Sequence, residues 1–449
     1  MASAAPPPPT LPRPDPDLQT GLQYLRAGWF DRAEPLFRSA LERHGERPDI
    51  LHFLAVCLSQ RGALAEAEGL WRKALARDPN EPMLSYNLAL VARRQGKLDE
   101  AVRRLRDTLR NQSEHAEARL ALAAIHIEQE RFAAAERELA EQVAKTDAAI
   151  QGGAQGAKPL QARARNMLGY ALYRLGKNAE AIDVLDMALV DAEEDAARRS
   201  QIMGDRALAL GALGQHEDAI GQAQEALALA PESAPLLHTL GFLLHFAGRP
   251  EDAIGPIQQA LAIDPAFVAA LKTLALAQIA LGSETDAILA LQQALEANAR
   301  DRDAVLQLAL LHLGGKRFTE ALAVLEPHLE RSPDDARALN SLGLALRGLQ
   351  RPEEARRALK RASRTLPDDP FVLTNLGGVL VDLGRPAEAR PLHERALKAL
   401  PGDPRLLAHY GLCLAALGER ERALETLDTA LMADPDNAEV LAARMSLAS

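Results

Sequence analysis

The chain has 449 residues, of which 47% are hydrophobic, 25% charged and only 4% aromatic, so one compact core of ordinary make-up does not fit it. A formal net charge of −10 argues against a general nucleic-acid binder, which needs a basic face to release counterions from phosphates.

The N-terminal stretch, residues 1–17, contains the run Pro6 to Pro9 and is predicted to be a disordered leader, with a docking motif for a proline-binding module as the alternative. It has neither the basic opening nor the apolar run of a secretory signal. No later segment approaches the ~20 uninterrupted apolar residues of a membrane span. The expectation is a soluble, cytoplasmic protein without membrane insertion.

From residue 18 onward the chain repeats itself. Alanine recurs at Ala33, Ala67, Ala101, Ala135, Ala181, Ala219, Ala253, Ala287, Ala321, Ala355, Ala389 and Ala423, mostly 34 residues apart. Twelve positions before each stands another small residue, as in Gly21, Ala55, Gly169, Gly241, Gly343, Gly377 and Gly411. A small residue on each of two successive helices marks where their backbones cross closely, so each unit is predicted to be a helical hairpin. Glycines such as Gly28, Gly62, Gly176, Gly248 and Gly418 fall between the two columns, where a helix can end in a left-handed residue. Prolines such as Pro79, Pro231, Pro265, Pro333, Pro367, Pro401 and Pro435 are expected in the first turn of the next helix. A fixed period of this length means stacked helical units, an all-α solenoid.

Two steps break the period. Twelve extra residues precede Ala181, and the glycine-rich stretch Gln151 to Pro159 within them reads as a loop or joint spanning 147–160. Four more precede Ala219, about one helical turn, which lengthened helices absorb without losing phase. The organisation expected is a leader (1–17), units 1–4 (18–146), the loop or joint (147–160), units 5–12 (161–435) and a capping helix (436–449). That last helix, with Val440, Leu441, Met445 and Leu447, either covers the final apolar face or supports self-association.

The small-residue columns, the aromatic or aliphatic residue three or four places on (Phe37, Trp71, Leu105, Leu185, Ile257, Leu427) and the closing proline resemble the tetratricopeptide repeat family over roughly residues 18–435. The resemblance implies a right-handed superhelix of about twelve hairpins whose first helices line a concave groove for peptides. On this chain it selects Tyr86, Asn87 and Arg93, then Arg163, Asn166, Tyr170, Tyr173 and Arg174, then His238, Phe242, His245 and Phe246. Arg94, Lys272, Arg337, Asn340, Arg347, Thr374, Asn375, Arg405 and His409 extend the set. With only nine Phe, two Trp and five Tyr in the chain, rings at groove positions read either as binding hot spots or as inter-helix packing.

The arginines at Arg93, Arg94, Arg163 and Arg174 predict a taste for acidic partner segments, although Asp49, Glu117, Glu128 and Asp205 share the same face. The asparagine ladder of one family branch is absent, since only Asn87 and Asn375 occupy its column. There is no Gly-rich phosphate loop, HExxH, GxSxG or Cys/His cluster, so no catalytic residue, metal or cofactor is expected. Cys57 and Cys413 lie some ten units apart and read as buried small hydrophobes. His238 and His245 are two turns apart on one face, and groove or inter-helix contacts are the plainer reading than a shared ligand. The sequence therefore predicts a non-catalytic scaffold or adaptor. The alternatives are a targeting or regulatory subunit of an envelope, secretion or motility assembly, and a substrate-recognition arm for a separate enzyme such as a glycosyltransferase.

Overall fold

The structure is a computed structural model that describes residues 15–192 and 195–448. Most of the proline-rich leader and the pair Glu193–Glu194 lie outside the described residues. The described chain is helical with no strand, and it divides into two units, one ending at Pro231 and the other beginning at Glu232.

In the first unit helices pair as hairpins: α1 (Pro16–Arg26) with α2 (Phe30–His44), α3 (Pro48–Gln60) with α4 (Leu64–Arg77), and α5 (Pro82–Arg94) with α6 (Leu98–Asn111). They continue as α7 (Ala116–Glu128) with α8 (Phe132–Gln151), α9 (Lys158–Arg174) with α10 (Asn178–Asp191), and α11 (Ala196–Ala212) with α12 (His216–Leu229).

The second unit pairs α13 (Ala234–Phe246) with α14 (Pro250–Ile263), α15 (Val268–Ala280) with α16 (Glu284–Ala297), and α17 (Arg302–Gly314) with α18 (Phe318–Arg331). It continues through α19 (Ala336–Gly348) with α20 (Pro352–Thr365), α21 (Pro370–Asp382) with α22 (Pro386–Ala399), and α23 (Pro404–Ala416) with α24 (Arg420–Ala433), then ends on α25 (Ala438–Ala448).

The two small-residue columns sit where the helices cross. The alanine of every second helix from Ala33 to Ala423 is fully buried, and the residue four places on, such as Phe37, Leu105, Leu185, Ile257 or Leu427, is buried with it. That large side chain lies against the small residue sixteen positions earlier: a Cβ on Gly241 would stand 2.4 Å from Cγ1 of Ile257, and one on Gly411 would stand 2.6 Å from Leu427. Bulk on one helix thus requires absence of bulk on its partner, which is why the columns stay in register.

Hairpin turns close as the glycines imply. At Gly176, with φ of +76°, the amide donates to the Tyr173 carbonyl at 2.9 Å and that of Lys177 reaches back to Leu172 at 3.0 Å. This is the paired bonding of a left-handed helix terminus. The closing prolines are placed differently from expectation: Pro79, Pro333, Pro367 and Pro401 stand in the connecting turns, three residues ahead of the helix. Other prolines, among them Pro48, Pro82, Pro370 and Pro404, occupy the first helical turn, where no amide hydrogen is needed.

Of the twelve-residue insertion, little is loop. α8 extends to twenty residues, α9 to seventeen, and a single 3-10 turn at Gln155–Ala157 joins them. α8 packs on α9, so hydrophobic contact compensates the glycines that favour a break. The four-residue insertion is taken up by a seventeen-residue α11. Cys57 and Cys413 are buried, and burial pushes both thiols up to about 11. α25 lays Val440 against Ala408, Leu427 and Ala430, while Met445 stays exposed.

Candidate functional site: the faces of the first helices

Within each unit, several first helices touch the next first helix, as in α9 with α11, α17 with α19 and α21 with α23. Among the described residues, second helices show no comparable contact with one another. The first helices are therefore crowded on one side, the inner side of each stack.

Residues 35 positions apart meet across that side. His238 Nε2 lies 3.0 Å from Thr273 Oγ1, and Asn375 Nδ2 donates to Asn340 Oδ1 at 2.9 Å. Arg93 pairs with Glu128, and Arg347 Nη2 donates to Asp382 at 3.0 Å. Where the chain carries an insertion the interval lengthens: Arg163 pairs with Glu117, 46 residues away, and Asn166 donates to Asp205 at 2.6 Å, 39 residues away.

The residues selected in the first unit are engaged with neighbours, some across these seams and some within their own helix. The Tyr86 ring centroid lies 4.8 Å from that of His115, and burial raises the Tyr86 hydroxyl. Asn87 donates to the Met83 carbonyl at 2.8 Å. Tyr170 and Tyr173 sit 6.2 Å apart. Arg174 donates to the Tyr170 hydroxyl at 3.0 Å, covers the Phe132 ring at 4.3 Å, and has Glu130 within 3.7 Å. Tyr170, Tyr173 and Arg174 thus form one cluster on α9. Arg93, Arg163 and Arg174 each have a carboxylate of a neighbouring hairpin as partner, which balances the charge on this stretch. Burial lifts the Asp205 carboxyl to about 7 against the lowering effect of the Asn166 amide.

In the second unit, α13 carries a ring ladder. Phe242 lies 4.5 Å from Phe246 and 6.1 Å from His238, which meets Phe267 edge-on at 5.2 Å. His245 stands edge-on to Phe246 at 5.1 Å. Burial, aided by Lys272, lowers the His238 imidazole to about 4, so it is neutral at physiological pH. Phe246 remains 55% exposed and is the open end of the ladder. His238 is bonded to Thr273 and His245 packs on Phe246, so the structure ties the two histidines to separate neighbours. Among the described residues no group of three His, Cys, Asp or Glu is placed to hold a metal ion.

A further hollow lies elsewhere in the second unit. A cleft of about 680 Å³ runs over α17, α19, α21 and α23, with Leu306, Leu310 and Leu344 giving it an apolar wall and Gln307, Asn340 and Asn375 a polar one. Asp303, Arg337, Phe371 and Arg405 also line it, one residue from each helix at successive 34-residue steps. Arg337, Asn340, Thr374, Asn375, Arg405 and His409 belong to the wider set of groove positions expected from the sequence, whose main members fall on α5, α9 and α13. The signal that finds this cleft is the row itself, read across four units rather than along one. A smaller hollow of about 370 Å³ in the first unit is lined by Asp49, His52, Phe53, Asp78, Glu81 and Met83.

Comparison with known proteins agrees with the period. Tetratricopeptide repeat models match residues 24–91 and 380–447, and 86–154, 147–198, 272–335 and 306–370, together well over half the chain. A search among curated proteins gives no match. A tetratricopeptide repeat protein from Parabacteroides merdae is similar in structure, with 17% identity over 56% of this chain and 99% of that one and a TM-score of 0.46. The Cut9–Hcn1 hetero-tetramer of APC/C is similar at 14% identity over 96% of this chain and 95% of the other, with a TM-score of 0.48. No helix among the described residues is long and apolar enough to cross a membrane.

Proposed function

Since the chain belongs to the tetratricopeptide repeat family, we propose that it is a non-catalytic scaffold or adaptor that holds segments of protein partners against the faces of its first helices. The observation carrying this reading is the cleft over α17, α19, α21 and α23. Four successive hairpins contribute equivalent positions to one concave surface of about 680 Å³ with both apolar and amide walls. Such a surface suits a chain segment that presents side chains and unpaired backbone groups together. The cluster Tyr170, Tyr173 and Arg174 with Arg163 and Asn166 on α9, the Tyr86, Asn87 and Arg93 stretch on α5, and the open end of the α13 ladder at Phe246 are proposed as further contact points along the same faces. Aromatic and arginine side chains concentrate binding energy at such points.

The test is affinity capture from native lysate, quantified by mass spectrometry, comparing wild type with a folded Leu310→Glu, Phe371→Glu chain and an Arg163→Ala, Tyr170→Ala, Arg174→Ala chain. Leu310 is 56% exposed and Phe371 39% exposed, so both replacements leave the core intact. Loss of the same captured partner in either variant supports the reading. Retention of every partner in both variants removes it.

A further inference from the structure

The cleft of the second unit differs from the α5 and α9 faces in its charge. Arg93, Arg163 and Arg174 are each balanced by a carboxylate from a neighbouring hairpin. The 35-residue interval that brings Arg93 to Glu128, with no insertion in the second unit to lengthen it, gives Arg337 no acid, because Arg302 and Val372 stand at the two matching positions. Arg337 has no ion-pair partner among the described residues. Arg405 reaches one carboxylate, Asp403, at 3.5 Å, and its guanidinium covers the Phe371 ring at 4.9 Å. Arg337, Phe371 and Arg405 occupy the same place in the first turn of α19, α21 and α23, so an exposed ring is flanked by two cations along one edge of the cleft.

The nearby carboxylates are occupied. Asp335 accepts from Arg302, His328 and two backbone amides, and Asp369 accepts from the amides of Phe371 and Val372. Asp403 accepts from the amides of Arg405 and Leu406, and Asp303 lies 3.6 Å from Lys272. Beneath the edge, Thr374 is 3% exposed and its hydroxyl finds no hydrogen-bond partner among the described residues, although the residue lines the cleft. Such a group is costly unless something bonds to it.

Resting on the groove reading above, we propose that the second unit's cleft selects acidic protein segments, an Asp or Glu side chain lying between Arg337 and Arg405 and its apolar neighbours lying against Phe371, Leu310 and Leu344. Guanidinium groups hold carboxylates with two parallel N–H donors, and an aromatic face beside them favours an apolar residue next to the acid. The Asn340 and Asn375 amides line the same cleft, and their bond to one another leaves Asn340 Nδ2 as a donor and Asn375 Oδ1 as an acceptor for the segment's backbone.

The test uses the full chain and randomised twelve-residue peptides displayed on phage. Enriched peptides are then made with a fluorescent label and titrated by anisotropy against wild type and against Arg337→Glu, Arg405→Glu, both exposed positions. A photo-crosslinker at Leu310→Cys reports whether they occupy the cleft. The expected result is enrichment of Asp or Glu beside an aliphatic or aromatic residue, loss of about tenfold or more in affinity when the acid becomes Lys, and reversal of that preference in the double variant. If peptides crosslink at position 310 while acidic and lysine forms bind alike, the acidic occupant is wrong and the groove reading stands. If no peptide is enriched, or none crosslinks there, both fall together.

Discussion

A methyl group added to Gly169 would stand 2.4 Å from Cγ of Leu185, the fully buried side chain that α10 sends across to α9. The contact defines how the hairpin is built: one helix gives up its side chain so that the other can insert a large one. Gly169→Ala is expected to destabilise the first unit by about 1–3 kcal/mol, since overpacking forces helices apart. Gly255 lies inside α14 with nothing within 4 Å of its would-be Cβ, so Gly255→Ala should stabilise by about 0.5–1 kcal/mol. Chemical denaturation of both variants gives opposite shifts of midpoint if the columns are as described.

Three hairpin turns dispense with glycine. Glu130, Lys316 and Gln350 adopt φ of +56°, +57° and +58° at the place where Gly96, Gly282 or Gly384 stands in other hairpins. A side chain in that conformation costs about 1–2 kcal/mol. Gln350→Gly is therefore expected to raise the thermal midpoint of the second unit, and an unchanged or lower midpoint would show that the turn is not strained.

His393 fills the position that Leu359 and Leu427 fill in the adjoining hairpins, against Gly377. It is fully buried, and neither ring nitrogen has a partner among the described residues. Burial, with His409 and Arg347 adding to it, lowers the imidazole to about 3. A histidine whose folded value lies below its unfolded value binds more protons when unfolded, so stability falls as pH drops below about 6.5. Between pH 6.5 and 5 the loss should be about 2 kcal/mol. His393→Leu should stabilise at pH 7.5 and flatten that acid limb, as read from urea melts at several pH values.

Asp205 has the opposite sign. Its folded value is raised to about 7, so the unfolded chain releases the proton first and stability falls as pH rises from about 4 towards 7. Asp205→Asn should remove that slope and stabilise the first unit at pH 7 by up to about 4 kcal/mol. The measurement is the pH dependence of the urea midpoint for wild type and variant. A parallel slope in the two chains would mean that the carboxyl is ionised in the native state.

The hairpins were legible because their determinant is local and repeated: small residues at fixed intervals, a large one sixteen positions on, and a turn glycine. The turns at Glu130, Lys316 and Gln350 escaped that reading, since the neighbouring packing imposes the left-handed backbone without the residue that favours it. The loop expected at 147–160 became mostly helix because α8 and α9 bury surface against one another, which glycine content alone does not reveal.

The groove residues were found by type, whereas their partners were not. Whether Arg163 is free for a ligand depends on Glu117 in another hairpin, and this pairing follows from the stagger of adjacent first helices. The 35-residue interval seen in Arg93–Glu128 and Asn340–Asn375 is that stagger expressed in sequence. It pairs Arg93 of α5 with an acid and leaves Arg337 without one, while the insertion before α9 lengthens the interval for Arg163 and Arg174.

The most direct measurement is hydrogen–deuterium exchange of the full chain with and without a partner recovered by affinity capture. Slower exchange on the first helices, led by α17, α19, α21 and α23, is the result this account predicts. Protection confined to the second helices or to α25, with the first helices unchanged, would contradict it.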